Sequence, residues 1–599
     1  MLLNILFFPI FVYLLSLYGI LFRKIFKIKI DDYLYINLIF GFFFVSIVLL
    51  ILSLFINLQS YFVYIVLFIL LIFSFKYFYL INFINIKKNI FVILLVSLLP
   101  ATMEIGYDSH LYHIPFQTWL HQDKIIIGMA NLNLRFGLSS IYSYFASILW
   151  FDNIFLFVSY LTTTFYLVFF LLIYEYLSTS NKKIIYALIL ILSFPLWSRY
   201  SSYAHSLIDA QFGIISIILF TFIYFNHESW FKKNFFNSGD IYFVGTLFYL
   251  LFTLKPSGIL FIPLLILLVL FFVIKKKINY LIFPGLIFSL LFLIWCLRQF
   301  LITGCLYYPI HFTCFNVEWF NITNLNYIND AITSYAVKPF KAIGLKDIFI
   351  NNLNYIVALA LLLALTVLIF KKFEKKIFKF INLKKKMFLT ALSVIYLINI
   401  FLLDELKGLS LILEQNNLYL IKEIFFKEIR NISIIFLISF LLPLIYFSKD
   451  MSLKKTIKLD LNLLILVFLI CLLFIWIIKA PQPRFAYGFI PVFFLLLFLN
   501  FFDTQNKIKT SKINNKLNLL FCLIIVMNVS KNFPEQEKIF YNFNVNKKIS
   551  HVNTIFTFDK RKTFGKKPNF QNLCSSEINC YPGKDRIIEK LKFNYKKVK

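Results

Sequence analysis

The sequence predicts an all-α protein, a polytopic bundle of about sixteen membrane-spanning helices. Three observations lead there. First, 60% of the 599 residues are hydrophobic and 20% aromatic, against roughly 45–50% apolar residues in a soluble domain. Mean hydropathy is +0.81. Second, apolar windows of about 17–25 residues, the length that crosses a bilayer, recur along the chain. Third, short lysine clusters separate those windows, as expected where cytoplasmic loops retain positive charge.

The first window, about 2–22, has no charged segment before it, and Arg23, Lys24, Lys27 and Lys29 follow it. It is expected to stay in the membrane with its N-terminus outside and its basic end inside. Alternation then orders the rest. A span at 33–57 leads out to the turn Asn57–Ser60, and a span at 61–80 returns to Lys87 and Lys88. A span at about 90–103 delivers Glu104 and Asp108 outside. The loop from there to Leu149 holds Trp119, Arg135 and the breakers Gly128 and Gly137, and is expected to lie partly along the membrane surface as amphipathic helices.

Spans at about 153–176, 184–198 and 206–225 follow, with Lys182, Lys183, Lys232 and Lys233 inside. Windows at about 241–253 and 258–274 form a hairpin around Leu254-Lys255-Pro256-Ser257-Gly258, where proline and glycine interrupt the helix. Lys275–Lys277 lie inside. A span at about 279–297 precedes an external loop from Arg298 to Asp347.

A span at about 352–370 leads to Lys371–Lys386, with eight lysines and one glutamate, the strongest cytoplasmic mark. After a span at about 387–403, Asp404–Arg430 carries five acids and four bases, which suits an outside loop. Spans at about 431–447, 460–478, 486–502 and 516–529 complete the count, with Arg484 outside in Pro481-Gln482-Pro483-Arg484-Phe485. The tail from Ser530 to Lys599 is expected outside. There Cys574 and Cys580 are placed either to close a disulfide or to remain as thiols, and the same choice applies to Cys305 and Cys314.

The net charge of +32 does not indicate nucleic-acid binding. Its basic residues are scattered between spans rather than gathered in a patch with interleaved aromatics, and membrane lipids with anionic headgroups are the natural partner. Walker A, GxGxxG, HExxH and nucleophile-elbow motifs are all absent from the sequence, so ATP-driven chemistry has no motif behind it.

Chemistry concentrates in Glu104-Ile105-Gly106-Tyr107-Asp108-Ser109-His110-Leu111-Tyr112-His113-Ile114-Pro115. An acid at the mouth of an apolar helix is costly unless it meets water or a partner. Asp108 reads either as a general base, with basicity raised by partial desolvation, or as the N-cap of a helix running to Pro115. Glu104 either supports it or ends a helix in solvent. His110 and His113, spaced i, i+3, share a helix face; they suit a phosphate or contribute to a divalent-ion site. No cofactor motif is present otherwise.

Lys255 in its Pro-Gly turn suits a phosphate, or is a lysine snorkelling at a helix end. Arg298 and Arg484 are each candidates to grip a phosphate or to anchor a span end. Arg135 is a further candidate cation, and Asp209 lines the same cavity or caps a helix.

These residues together resemble the GT-C class of integral-membrane glycosyltransferases: an acid in the first large external loop, many spans, the Lys-Pro-Ser-Gly turn, Thr303-Gly304-Cys305-Leu306-Tyr307-Tyr308-Pro309, and a late external arginine. Tyr107-Asp108-Ser109-His110-Leu111-Tyr112-His113, Asn131-Leu132-Asn133-Leu134-Arg135-Phe136-Gly137 and Pro-Gln-Pro-Arg-Phe are similar to a bacterial membrane-protein group near that class. The resemblance covers roughly residues 88–500, with 1–87 as an added three-span segment and 501–599 as the last span and tail. It implies extracytoplasmic sugar transfer from a polyprenyl-phosphate donor at the bacterial cytoplasmic membrane. In it Asp108 is the base, and Lys255, Arg298 and Arg484 are candidates to contact the donor phosphate, with Arg135 added from the residue reading. Glu104, His110, His113, Tyr107, Asp209 and Tyr308 are in support. Many members carry a second acid where this chain has Ser109. A polysaccharide polymerase or ligase, a flippase-like transporter and a non-catalytic relative are the competing readings.

Overall fold

A computed structural model of the chain describes residues 2–102, 112–131, 133–149, 156–177, 208–231, 238–320, 325, 451–453, 461–479, 488–493, 496 and 502–504. The chain divides into two compact units. One comprises residues 1–176, 198–330 and 522–599, and the other residues 177–197 and 331–521.

In the first unit, α1 (Leu2–Ile25) and α2 (Leu34–Ser53) cross closely. A Cβ on Gly19 would lie 1.8 Å from the Asn37 carbonyl oxygen, and one on Gly41 2.1 Å from that of Leu15. Small residues at a helix crossing let backbones approach, which is the main source of attraction between helices where lipid is as apolar as leucine.

Next comes α3, a single helix from Tyr61 to Val96. The expected break at Lys87–Lys88, which separated two spans, is absent. No glycine or proline occurs between Tyr61 and Val96, so nothing stops the i→i−4 ladder. At 1.5 Å per residue the helix is about 54 Å long, well beyond a hydrocarbon core of about 30 Å. Lys87 and Lys88 are exposed on it. The helix also runs unbroken through the boundary expected after residue 87.

The first large loop is helical, as expected, but its helices are not all superficial. It contains α4 (Ile114–Gln122), 3-10 turns at Met129–Asn131 and Leu134–Leu138, and α5 (Tyr142–Ile148). Every residue of α5 is buried. Pro115 lies in the first turn of α4 rather than ending a helix, because the first turn has no use for the missing N–H.

Then follow α6 (Leu156–Leu171) with a π-helical turn at Leu172–Tyr176, α7 (Ile208–Phe231), α8 (Ser238–Leu254), α9 (Ile262–Ile274) and α10 (Asn279–Thr303). Gly304, at φ +71°, ends α10 in the left-handed conformation that glycine adopts without penalty. Arg298 therefore lies inside α10, not in the loop beyond it.

The connections separate into two ends. At one, Arg23 bonds Asp32 and Asn37 at 2.7 Å each, the Lys277 ammonium donates to the Trp230 carbonyl at 2.7 Å, and Trp230 Nε1 donates to Asp240. Gly239 packs on the Lys29 carbonyl there. At the other, Leu58 N–H bonds the Leu120 carbonyl and Gln59 N–H that of His121; Ile141 N–H bonds Thr253 and Gly128 N–H bonds Leu301.

Among the described residues, six helices are long and apolar enough to cross a membrane, and three shorter apolar helices accompany them. Large apolar side chains are exposed along α3, α9 and α10, among them Phe68, Leu270 and Leu290. The chain is a helical integral membrane protein.

In the second unit, α11 (Leu461–Lys479) is apolar. Met451–Leu453 pairs antiparallel with Phe502–Thr504 over three residues.

Candidate functional site

Lys255 follows the last residue of α8 and precedes the 3-10 turn Pro256–Phe261. A Cβ on Gly258 would sit 2.0 Å from the Leu251 carbonyl oxygen, so the turn folds tightly back on α8. The Lys255 ammonium forms an ion pair with Asp209 in the first turn of α7. Asp209 is nearly enclosed, with 7% of its side chain exposed, while Lys255 retains 22%. A carboxylate in a first helical turn also complements the helix dipole.

Tyr307 supports this turn from below. Its hydroxyl is 2.9 Å from the Phe252 carbonyl oxygen, 3.2 Å from that of Pro256 and 3.4 Å from that of Lys255. These carbonyls lie in the last turn of α8 and at the start of the 3-10 turn that follows it. Burial pushes the Tyr307 pKa up, so the hydroxyl keeps its proton and remains a donor.

A second set of contacts begins at Tyr112. The Arg135 guanidinium lies over the Tyr112 ring, 5.1 Å from its centroid, within the range of a cation–π contact. The Asn133 side chain accepts from Arg135 N–H and so caps the 3-10 turn at Leu134–Leu138. Two residues on, Gly137 meets the Tyr308 ring, where an added Cβ would be 2.7 Å from two ring carbons. Tyr308 is buried and makes an edge contact with Phe320.

Arg298 is fully buried, with its guanidinium donating to the Tyr144 hydroxyl and to Ser139 Oγ. The rings of Trp295, Phe116 and Tyr144 surround it at 4.7, 5.3 and 5.3 Å. Its position in α10 puts it in this cage rather than at an open surface, so it braces the loop. Burial raises the Tyr144 pKa, and the adjacent guanidinium opposes that rise. Among the described residues, Trp295 Nε1 and Ser140 Oγ are buried without a hydrogen-bond partner.

A disulfide joins Cys305 and Cys314. It closes the loop that carries Tyr307 and Tyr308. His113, at the start of α4, is buried. Contacts thus run from Tyr112 through Arg135, Gly137, Tyr308 and Tyr307 to Lys255 and Asp209. Arg298 is tied in through Ser139.

Glu104, Tyr107, Asp108, His110, Arg484, Cys574 and Cys580 lie outside the described residues. Among the described residues no three His, Cys, Asp or Glu side chains gather as metal ligands.

A family model described as "Domain of unknown function (DUF8201)" matches residues 1–404. The chain belongs to the DUF8201 family. No curated protein matches it, and no solved structure does. The DUF8201 match takes in Arg135, Asp209, Lys255, Arg298 and Tyr308, while Arg484 and the cysteines of the tail lie beyond it.

Sequence reasoning passed over Tyr144, Ser139 and Tyr307, which hold the cations of this DUF8201 chain in place. Only Tyr307 left a signal, as the neighbour of Tyr308 in a segment already singled out. Glu175 was also missed. It accepts the backbone N–H groups of Leu34 and Tyr35 at 3.1 and 3.2 Å and the Asn89 amide at 2.7 Å, and so caps α2 from another helix.

Proposed function

We propose that this protein transfers a sugar from a polyprenyl-phosphate-linked donor to a cell-envelope acceptor on the extracytoplasmic side of the bacterial cytoplasmic membrane. One observation carries the reading. The candidate residues Arg135, Asp209, Lys255 and Tyr308 lie far apart in sequence, yet Lys255 pairs with Asp209, and the Tyr307-Tyr308 segment meets both the Lys255 turn and Gly137 of the Arg135 turn. Tyr112, four residues after Asp108 in sequence, carries Arg135 on its ring.

In this reading the Asp108 carboxylate takes the proton of the acceptor hydroxyl. The hydroxyl oxygen attacks the anomeric carbon as the bond from that carbon to the phosphate oxygen breaks, which inverts the configuration. Negative charge develops on the departing polyprenyl phosphate, and Lys255 and Arg135 stabilise it. Arg298 keeps the loop under these groups rigid.

Replacing Asp108 by Asn tests the proposal. The envelope glycan profile should then match that of cells without the protein. An unaltered profile at normal protein levels would reject it.

A further inference from the structure

Asp209 opens α7 and Lys255 follows the end of α8, and their ion pair joins these two helix ends beside the Phe212 and Phe220 rings, which meet Phe261 of the turn. The pair is asymmetric, with Asp209 nearly enclosed and Lys255 three times as accessible. An enclosed carboxylate is costly without a counter-ion. The ammonium, by contrast, has three donors on a flexible stem, and the Lys255 side chain retains part of its exposure. Tyr307 holds the backbone beneath it, so a moving ammonium need not move its turn. Any phosphate that reaches Lys255 meets a cation already engaged by a carboxylate.

We infer that Asp209 is an internal competitor for the anion site at Lys255. The carboxylate holds the ammonium while the site is empty, and the phosphate of a polyprenyl phosphate, with or without its sugar, displaces it on binding. Asp209 is a positioning residue here, and no bond is made or broken beyond the exchange of ionic contacts. The inference rests on the donor reading above, since it takes the ligand to be a lipid-linked phosphate.

The test uses the purified full-length protein in detergent with farnesyl phosphate, inorganic phosphate and farnesol as probes. Asp209→Asn keeps the shape of the side chain and removes its charge, and it should tighten farnesyl phosphate binding by about tenfold. Lys255→Gln should abolish binding both alone and combined with Asp209→Asn. Farnesol should not bind. Inorganic phosphate should show the same ordering of variants with weaker affinity; inorganic phosphate bound as tightly as farnesyl phosphate would reject a lipid-linked ligand.

One measurement needs no variant. Farnesyl phosphate should protect Lys255 of the unmodified protein from acetylation, read by peptide mass spectrometry. Absence of protection overturns the inference, as does weaker binding by Asp209→Asn. If the Asp108→Asn glycan phenotype appears while the Asp209 ordering fails, the competitor role falls alone. If the ordering holds with no Asp108 phenotype, a phosphate site remains and the transfer reading falls.

Discussion

The Tyr307 hydroxyl lies 2.9 Å from the carbonyl oxygen of Phe252. Tyr307 follows the end of α10 and Phe252 is in the last turn of α8, so one side chain ties the two helix ends together around Lys255. Tyr307→Phe removes the donor and leaves buried carbonyls without it. The expected cost is about 1 kcal/mol, seen as a lower melting temperature of the purified protein. Lys255 acetylation should also become faster, whereas Tyr18→Phe, at a distant hydroxyl bonded to Leu67, should leave it unchanged.

Arg298 is held by the planar fork of its guanidinium. Arg298→Lys keeps the charge but cannot reach Tyr144 and Ser139 together. It should destabilise the protein by about 2 kcal/mol, while an exposed substitution such as Lys276→Arg should be neutral. Thermal unfolding followed by intrinsic fluorescence reads both.

The crossing of α1 and α2 should tolerate no side chain at its glycines. In Gly41→Val the new atoms meet the Leu15 carbonyl, and overpacking of this kind costs about 1–3 kcal/mol. Size-exclusion chromatography should show loss of the monodisperse peak, and a normal elution profile would contradict the close crossing.

His121 supplies a pH dependence. Burial lowers its pKa from 6.5, and its ring nitrogen bonds the Ser147 carbonyl at 2.9 Å. Below pH 6.5 the unfolded chain takes up a proton that the folded one refuses. Its contribution is therefore complete above pH 6.5 and is lost as the pH falls toward the folded value. His121→Asn should flatten the melting temperature between pH 7 and pH 5.5.

The Cys305–Cys314 bond predicts a labelling pattern. In a variant that retains only these two cysteines, a membrane-impermeant maleimide should react with intact cells only after a reductant is added. Reaction without the reductant would show free thiols, and no reaction in either condition would place this end of the protein inside.

The membrane class and the helical fold were legible in sequence, because apolar length is a local property. The continuity of α3 was legible in principle, since no breaker lies between Tyr61 and Val96; the lysine pair concealed it by looking like a loop. Lys255 stood out because proline and glycine punctuate the chain around it. Its partner Asp209 was named without the pairing, since the pairing depends on how α7 packs against α8.

By itself, then, the sequence determined that this chain lies in a membrane as helices and that a few cations interrupt the apolar runs. Only the tertiary structure decided what those cations do. Arg298 looked like an open cation at a span end, yet α10 continues past it into a cage of three rings. Lys255 proved to be half of an ion pair. A charge is a property of one residue, but whether it is free to meet a ligand depends on which distant side chains burial brings against it.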